Sequence, residues 1–216
     1  MNPDITSKIH DHFSQFPKRK YTKGQILVFA DESPEHIFYM TAGKVRKYDV
    51  SYRGDEVIVN IFKPPAYFPM SWAINRTPNH YFYKTETVTE LHVVPVDDAL
   101  QFIKDNPDVM FDLLTRLYKG MDGLLGRVAH LMSGTAKSRL IYELIIECRR
   151  FGGKQTDGSY VLQTTETDMA ARSGLSRETV SREMQKILAL GLITQIHKGL
   201  TVTDLTALEQ LHGVGI

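Results

Sequence analysis

Positions 176 to 187 read Ser-Arg-Glu-Thr-Val-Ser-Arg-Glu-Met-Gln-Lys-Ile. At helical spacing, Arg177, Glu178, Ser181, Arg182 and Gln185 fall on one contiguous outward arc, and Val180, Met184 and Ile187 on the inward one. Arginine donates two bonds to guanine O6 and N7, and glutamate accepts from cytosine N4. Arg177, Glu178, Ser181 and Arg182 near a helix N-terminus therefore carry the chemistry of base-edge readout in a major groove. The competing reading is a solvated face of mixed charge, which many surface helices have.

The residues in front decide between these readings. Thr165 with Asp168 three positions on has the form of a capping box that starts a short helix. Small Ala170 permits a close helix crossing, Gly174 makes a turn, Leu175 anchors it and Ser176 caps the next helix. This is the grammar of a helix-turn-helix. Gly191-Leu192-Ile193 and Leu200-Thr201-Val202, separated by His197-Lys198-Gly199, read as the two strands of a wing. Phosphate contacts position a protein on DNA and base contacts specify the sequence, so Thr165, Ser176 and Lys198 are assigned to phosphate.

Elements that place such a reader on a duplex precede it. Asn106-Pro107-Asp108 has the form of an N-cap, a proline at the first helical position and an acidic first turn. Met110, Leu114, Leu117, Met121, Leu124, Val128 and Leu131 then recur at alternating steps of four and three, a heptad seam that calls for a partner helix. Charged Asp112, Arg116, Lys119, Asp122 and Arg127 lie off the seam, which favours a parallel homodimer over packing on the chain's own N-terminal part. Gly120, Gly123 and Gly126 weaken the helix middle by about 1 kcal/mol each. They mark either a close approach of two chains or a segment whose helicity is switched. Ser133-Gly134 breaks this helix. Thr135 caps the next, whose core stripe is Leu140, Ile141, Leu144, Ile145 and Cys148.

Upstream, short β-rich runs at 25–29, 37–40, 44–50, 56–62, 80–85 and 89–96 are separated by Gly24, Ala42-Gly43 and Arg53-Gly54-Asp55. That spacing predicts an antiparallel barrel or sandwich, which makes the chain α+β. The 216 residues allow one large or two small domains, and 42% hydrophobic with 24% charged residues is ordinary globular composition. With 26 basic against 25 acidic side chains the net charge is +1, so any nucleic-acid site must be local. One cysteine excludes intrachain disulfides, cysteine-rich zinc sites and a multi-cysteine iron–sulfur ligand set. The first sixteen residues lack a signal-peptide core and no stretch has the length of a membrane span, so a cytoplasmic chain with no membrane partner is expected. His10 and His12 are read as solvated. No catalytic set, metal site or cofactor is expected.

The order of β-barrel, dimer helix and winged helix-turn-helix resembles the cyclic-AMP receptor protein and fumarate–nitrate regulator (CRP/FNR) superfamily of bacterial transcription factors, over roughly Tyr21 to Val202. The resemblance is most specific at Ser176 to Arg182 and at Ile37-Phe38-Tyr39-Met40 with Gly43-Lys44-Val45. It implies a cyclic-nucleotide-binding-like, jelly-roll-type barrel over 1–105, a dimerisation helix over 106–133 and a winged helix-turn-helix over 134–216. It also implies double-stranded DNA as a partner, with half-sites related to TGTGA or TTGA, a homodimer and an interaction with RNA polymerase. Arg177, Glu178 and Arg182 match the receptor protein's base readers, and Ser181 the serine of the fumarate–nitrate branch.

The departure lies where that family holds a cyclic nucleotide. Pro69-Met70 and Asn79-His80 stand in place of its Gly-Glu and Arg-Ser or Arg-Thr pairs, and a buried phosphate needs a cation or several donors. Cyclic-nucleotide independence is therefore expected. Aromatic Tyr67, Phe68, Trp72, Tyr81 and Tyr83 remain, either filling their own cavity or lining a pocket for an apolar or planar effector of unknown identity. Two functional alternatives stay open. One is a ligand-sensing protein-interaction module whose helical part does not read DNA, and the other a regulator with an atypical cyclic-nucleotide or other small-molecule effector.

Overall fold

The run Ile37-Phe38-Tyr39-Met40 is apolar at every position, which a strand tolerates only where both of its faces are covered. The computed structural model describes residues 3–52 and 54–212, so Arg53, a predicted turn residue, lies outside it. It divides the chain into two units between Met121 and Asp122.

In the first unit, helix α1 (Pro3–Phe13) precedes strands β1 (Lys18–Tyr21), β2 (Ile26–Val28), β3 (His36–Ala42), β4 (Val45–Val50), β5 (Glu56–Phe62) and β6 (Ala66–Phe68). Helix α2 (Met70–Asn75), strands β7 (Phe82–Thr85) and β8 (Thr89–Pro95), and helix α3 (Val96–Asp105) follow. The strands form two four-stranded antiparallel sheets, β1-β8-β3-β6 and β2-β7-β4-β5. Among the described residues no strand pairing joins them, so the expected barrel is not closed. The reason is in the core: Phe38, Met40, Phe68, Leu91 and Val93 of one sheet and Val28, Val45 and Tyr83 of the other form one apolar layer that holds the sheets face to face. Alternation sends Ile37, Tyr39, Tyr67 and Val94 to the opposite face, where they pack with Ile9 and Phe13 of α1, Ala73 of α2 and Phe102 and Ile103 of α3.

That second layer was hidden in the sequence reading, which predicted neither α1, α2 and α3 nor the short β1 and β6. His12, expected to be solvated, instead stacks on Phe102 with ring centroids 3.9 Å apart, and burial lowers its pKa. His10 is exposed and meets the Tyr39 hydroxyl at 3.4 Å.

Helix α4 (Pro107–Ser133) begins at the predicted proline. Asn106 stands at the expected N-cap position, its carbonyl accepting the Met110 N–H at 3.1 Å, while its side-chain amide donates to the Phe102 carbonyl at 2.6 Å and closes α3. The face of α4 that packs on its own first unit carries Val109 and Leu113, with Arg116 lying over the Tyr67 ring, donating to its hydroxyl and pairing with Asp112 at 3.0 Å. The seam is a different face. Met110, Leu114, Leu117, Met121, Leu124 and Val128 are all exposed, flanked by equally exposed Phe111, Tyr118, Leu125 and Met132, and only Leu131 is half-buried.

The second unit continues with α5 (Ala136–Phe151), β9 (Gly153–Lys154), β10 (Tyr160–Leu162), α6 (Glu166–Ser173), α7 (Arg177–Ala189), β11 (Ile193–Ile196), β12 (Gly199–Val202) and α8 (Leu205–His212). The predicted stripe Leu140, Ile141, Leu144, Ile145 and Cys148 is buried at its centre with Val180, Met184 and Ile187. Burial pushes the Cys148 thiol up to about 12, so it behaves as a small apolar side chain at neutral pH. Strands β11 and β12 pair as the wing hairpin, in a sheet of order β11-β12-β10-β9. Among the described residues no helix is long and apolar enough to cross a membrane.

Two sets of glycines should respond oppositely to alanine. A Cβ at Gly199 would overlap the Leu162 carbonyl oxygen, backbone that cannot yield without moving β10. Gly199→Ala should therefore lower the thermal midpoint, by several degrees for a cost of about 2 to 3 kcal/mol. Among the described residues a Cβ at Gly120 or Gly123 meets nothing within 4 Å, so Gly120→Ala/Gly123→Ala should stabilise the chain by about 1 kcal/mol per site and raise the thermal midpoint. A fall in the double variant would mean that these positions sit at a close approach of two chains.

Candidate nucleic-acid interface

Local sequence builds the reader in the expected order. The Thr165 hydroxyl accepts the Asp168 N–H at 3.1 Å and donates to the Asp168 carboxylate at 2.8 Å, starting α6. Gly174 ends α6 in the left-handed region (φ 62°), where a glycine has no Cβ to clash. The Ser176 hydroxyl then accepts the Thr179 N–H at 3.2 Å and starts α7.

On α7, Val180, Met184 and Ile187 are buried while Arg177, Glu178, Arg182 and Gln185 are exposed and Ser181 is half-buried. The two arginine side chains are 69% and 65% exposed, and their ion pairs are long, Arg177 to Glu166 at 3.5 Å and Arg182 to Glu183 at 3.8 Å. Surface pairs of this kind contribute little, so both guanidinium groups are available to a stronger acceptor. The N–H of Glu178 itself and the Ser176 hydroxyl hold the Glu178 carboxyl below its usual range, keeping it an acceptor at neutral pH. Lys198 is exposed at the wing tip and Thr165 at the start of α6, so all three residues assigned to phosphate, Ser176 included, are exposed.

A set of residues that sequence reasoning missed fixes this reader in place. Arg139 of α5 donates to the Ser173 carbonyl through Nε at 3.1 Å and to the Gly174 carbonyl through Nη2 at 2.8 Å. Arg127 of α4 donates to the Arg172 carbonyl and pairs with Glu143 of α5 at 2.7 Å, and Arg172 itself pairs with Glu147. The C-terminus of α6 is thus held by two cations, where its exposed carbonyls carry partial negative charge. Glu143, Glu147 and Arg172 are all buried. Glu143 and Glu147 stand one helical turn apart. Two like charges at that spacing repel unless cations meet them, and this was the one signal in the sequence.

In the first unit the predicted effector residues do not share one lining. Tyr67 and Trp72 pack in the layer under α1 and α3, whereas Phe68, Tyr81 and Tyr83 pack between the sheets. At the cyclic-nucleotide anchor position, the Asn79 side-chain amide donates to the Phe29 and Tyr81 carbonyls at 2.9 and 2.7 Å, so it serves the loop itself. Arg76, a nearby cation, pairs with Asp97 at 3.1 Å and lies beside the Trp72 ring.

The buried network gives a pH-dependent test. Burial raises the Glu143 pKa above its ordinary 4.5 against the opposing pull of Arg127. Stability tied to the protonated carboxyl is full below that ordinary value and is lost as pH rises through the raised one. In Arg127→Ala the buried carboxylate loses its cation, so destabilisation of about 3 to 5 kcal/mol is expected at neutral pH. The gap in thermal midpoint between wild type and variant should narrow as the pH falls toward 5. A gap that is constant with pH would contradict a charged Glu143–Arg127 pair.

Comparisons with known proteins agree with this architecture. A family model for the cyclic nucleotide-binding domain matches residues 18–106, and one for the Crp-like helix-turn-helix domain matches residues 126–211. The chain is 25% identical over 196 residues to a global nitrogen regulator of Synechocystis sp., covering 88% of this chain and 86% of that one. A CRP/FNR-family transcriptional regulator from Thermus thermophilus superposes with a TM-score of 0.76 at 20% identity, covering 92% of this chain and 99% of the other. The c-di-GMP responsive global regulator CLP of Xanthomonas campestris superposes with a TM-score of 0.80 at 16% identity, covering 92% and 99%. With a sensor-type β domain in front of a Crp-like helix-turn-helix, matched almost end to end, the chain belongs to the CRP/FNR family of transcription regulators.

Proposed function

We propose that the chain acts in the cytoplasm as a homodimer that reads a palindromic DNA site through the N-terminal turns of α7 and does not depend on a cyclic nucleotide. In this reading the domains divide as a sensor over 1–105, a dimer helix over 106–133 and a DNA-binding part over 134–216. The observation that carries it is the division of α7 into a buried Val180, Met184 and Ile187 face and an exposed Arg177, Glu178 and Arg182 face, set just after the Ser176 cap. Arg182 and Glu178 recognise the two bases of a central G·C pair, Ser181 and Arg177 flank them, and Thr165, Ser176 and Lys198 meet the phosphates.

The exposed stripe on α4, from Met110 to Val128, supports dimerisation, because so long an apolar face on a single chain needs a cover. Leu117, 54% exposed at its middle, would lie at the dimer's centre. Independence from cyclic nucleotides is supported by Asn79, which bonds to backbone carbonyls where an anion-binding arginine would be needed. A stretch of Phe62, Phe68 and Tyr83 rings stacked between the sheets favours a core that fills itself. RNA polymerase is the further partner in this reading.

Equilibrium binding to a selected operator tests the assignment of roles. Arg182→Ala should weaken specific binding by about 1 to 3 kcal/mol and relax the preference at one base position. Lys198→Ala should instead weaken binding alike on all sequences and make the salt slope shallower by about one unit per site. Unchanged binding by Arg182→Ala would remove the base-reading role and favour the protein-interaction alternative.

A further inference from the structure

Three rings from three helices of the second unit meet near the end of α4. His130 of α4 lies against Tyr142 of α5 with ring centroids 4.2 Å apart. His212, the last residue of α8, meets His130 edge to face, with centroids 4.7 Å apart and an interplanar angle of 70°. Tyr142 is buried and reaches along α4 as far as Gly126, where its hydroxyl lies 3.4 Å from the position of a would-be Cβ. The phenol ring therefore backs one turn of α4 and supports the His130 imidazole from beneath.

His212 is the member that packing alone does not explain. Both of its ring nitrogens are buried, and neither meets a hydrogen-bond partner among the described residues. A neutral imidazole carries one donor and one acceptor, and burying both unmet is costly enough to call for a ligand. Burial, with His130 beside it, lowers the His212 pKa, so at neutral pH the ring is in the uncharged form that ligates metals. Glu209, one turn earlier on α8, is committed to Arg149 at 2.9 Å. The ligating neighbour left to His212 is His130.

An ion shared by two imidazoles sits about 2.0 to 2.1 Å from each nitrogen, which keeps the two ring centroids within about 6.5 Å of each other. The pair at 4.7 Å meets that condition. Nitrogen donors without a carboxylate suit zinc, nickel and copper, whereas magnesium and calcium require oxygen. Among the described residues no group of three or more histidines, cysteines or carboxylates comes together, so water completes the shell and the ion is exchangeable, unlike that of a closed four-ligand site.

We infer that His130 and His212 together bind one divalent transition-metal ion of the zinc, nickel and copper class. The site goes beyond the proposed DNA reading and uses none of its residues. It ties α8 to the turn of α4 that also carries Arg127, and so steadies the unit that holds the helix-turn-helix.

Thermal-shift and calorimetric titration of the full, untagged chain, stripped of metal beforehand, with Zn²⁺ and Ni²⁺, and with Mg²⁺ as control, test it. One ion per chain should bind and raise the thermal midpoint by a few degrees, reversibly on chelation, and Mg²⁺ should do neither. His130→Phe and His212→Phe keep the ring packing and remove the nitrogens, and each should weaken Zn²⁺ binding about tenfold or more, while His10→Ala in the first unit retains it. If the Phe variants do not fold, the imidazole proton signals of the wild-type chain decide the matter: paramagnetic Ni²⁺ should broaden those of His130 and His212 before those of the other histidines. Binding no tighter than that of Mg²⁺, unchanged binding in a folded His130→Phe or His212→Phe, or earlier broadening of other histidines would overturn the site. No DNA enters the measurement, so its failure is distinct from a failure of operator binding.

Discussion

The geometry of the helix-turn-helix depends on how the C-terminal end of α6 is held. Its last carbonyls, at Arg172, Ser173 and Gly174, point away from any helical partner and carry the negative end of the helix dipole. Two guanidinium groups from different helices meet them, Arg127 of α4 and Arg139 of α5. Glu143 and Glu147 in turn hold Arg127 and Arg172. Removing one member leaves a buried charge without its partner, so the set stands or falls as a unit. Since α6 leads through Gly174 directly into the Ser176 cap, anything that fixes α6 also aims Arg177 and Arg182.

The same network ties the C-terminal turns of the seam helix to the reader. Arg127 lies on α4 four residues before Leu131, and it meets Glu143 on α5 and the Arg172 carbonyl on α6. The N-terminal turns of α4 are fastened within the first unit, through Val109, Leu113 and the Arg116 contact with Tyr67. Between these anchorages lie Gly120 and Gly123, where among the described residues nothing approaches within 4 Å of a would-be Cβ. Each end of the helix is thus committed to its own unit while its middle has low intrinsic helix propensity.

Local rules were legible wherever the chemistry was local. The caps at Thr165, Thr135 and Ser176, the glycine at 174 and the buried arc of α7 follow from spacing alone, and the structure has them as read. The sheet run 37–40 was legible as a strand because it is apolar throughout. What covers its second face was not, because α1 and α3 owe their places to contacts with residues distant in sequence, such as Phe13 and Phe102 against Tyr39 and Tyr67. For the same reason the sheets were read as a barrel, since strand spacing does not state which edges pair. The buried ions left one mark, the like charges of Glu143 and Glu147 a helical turn apart; Arg127 and Arg172 look like ordinary surface charges until the fold brings them together.

Near neutrality of the whole chain, 26 basic against 25 acidic residues, gives little general attraction to a polyanion, so the proposed function asks base readout to carry much of the discrimination. Selection of bound sequences from a random duplex library by the purified full-length chain measures that most directly. An inverted repeat is predicted, its half-sites about 10 bp apart centre to centre and each containing an essential G·C pair. Failure to enrich any motif, or enrichment of a single half-site without its inverted mate, would contradict a dimeric reader built on α7.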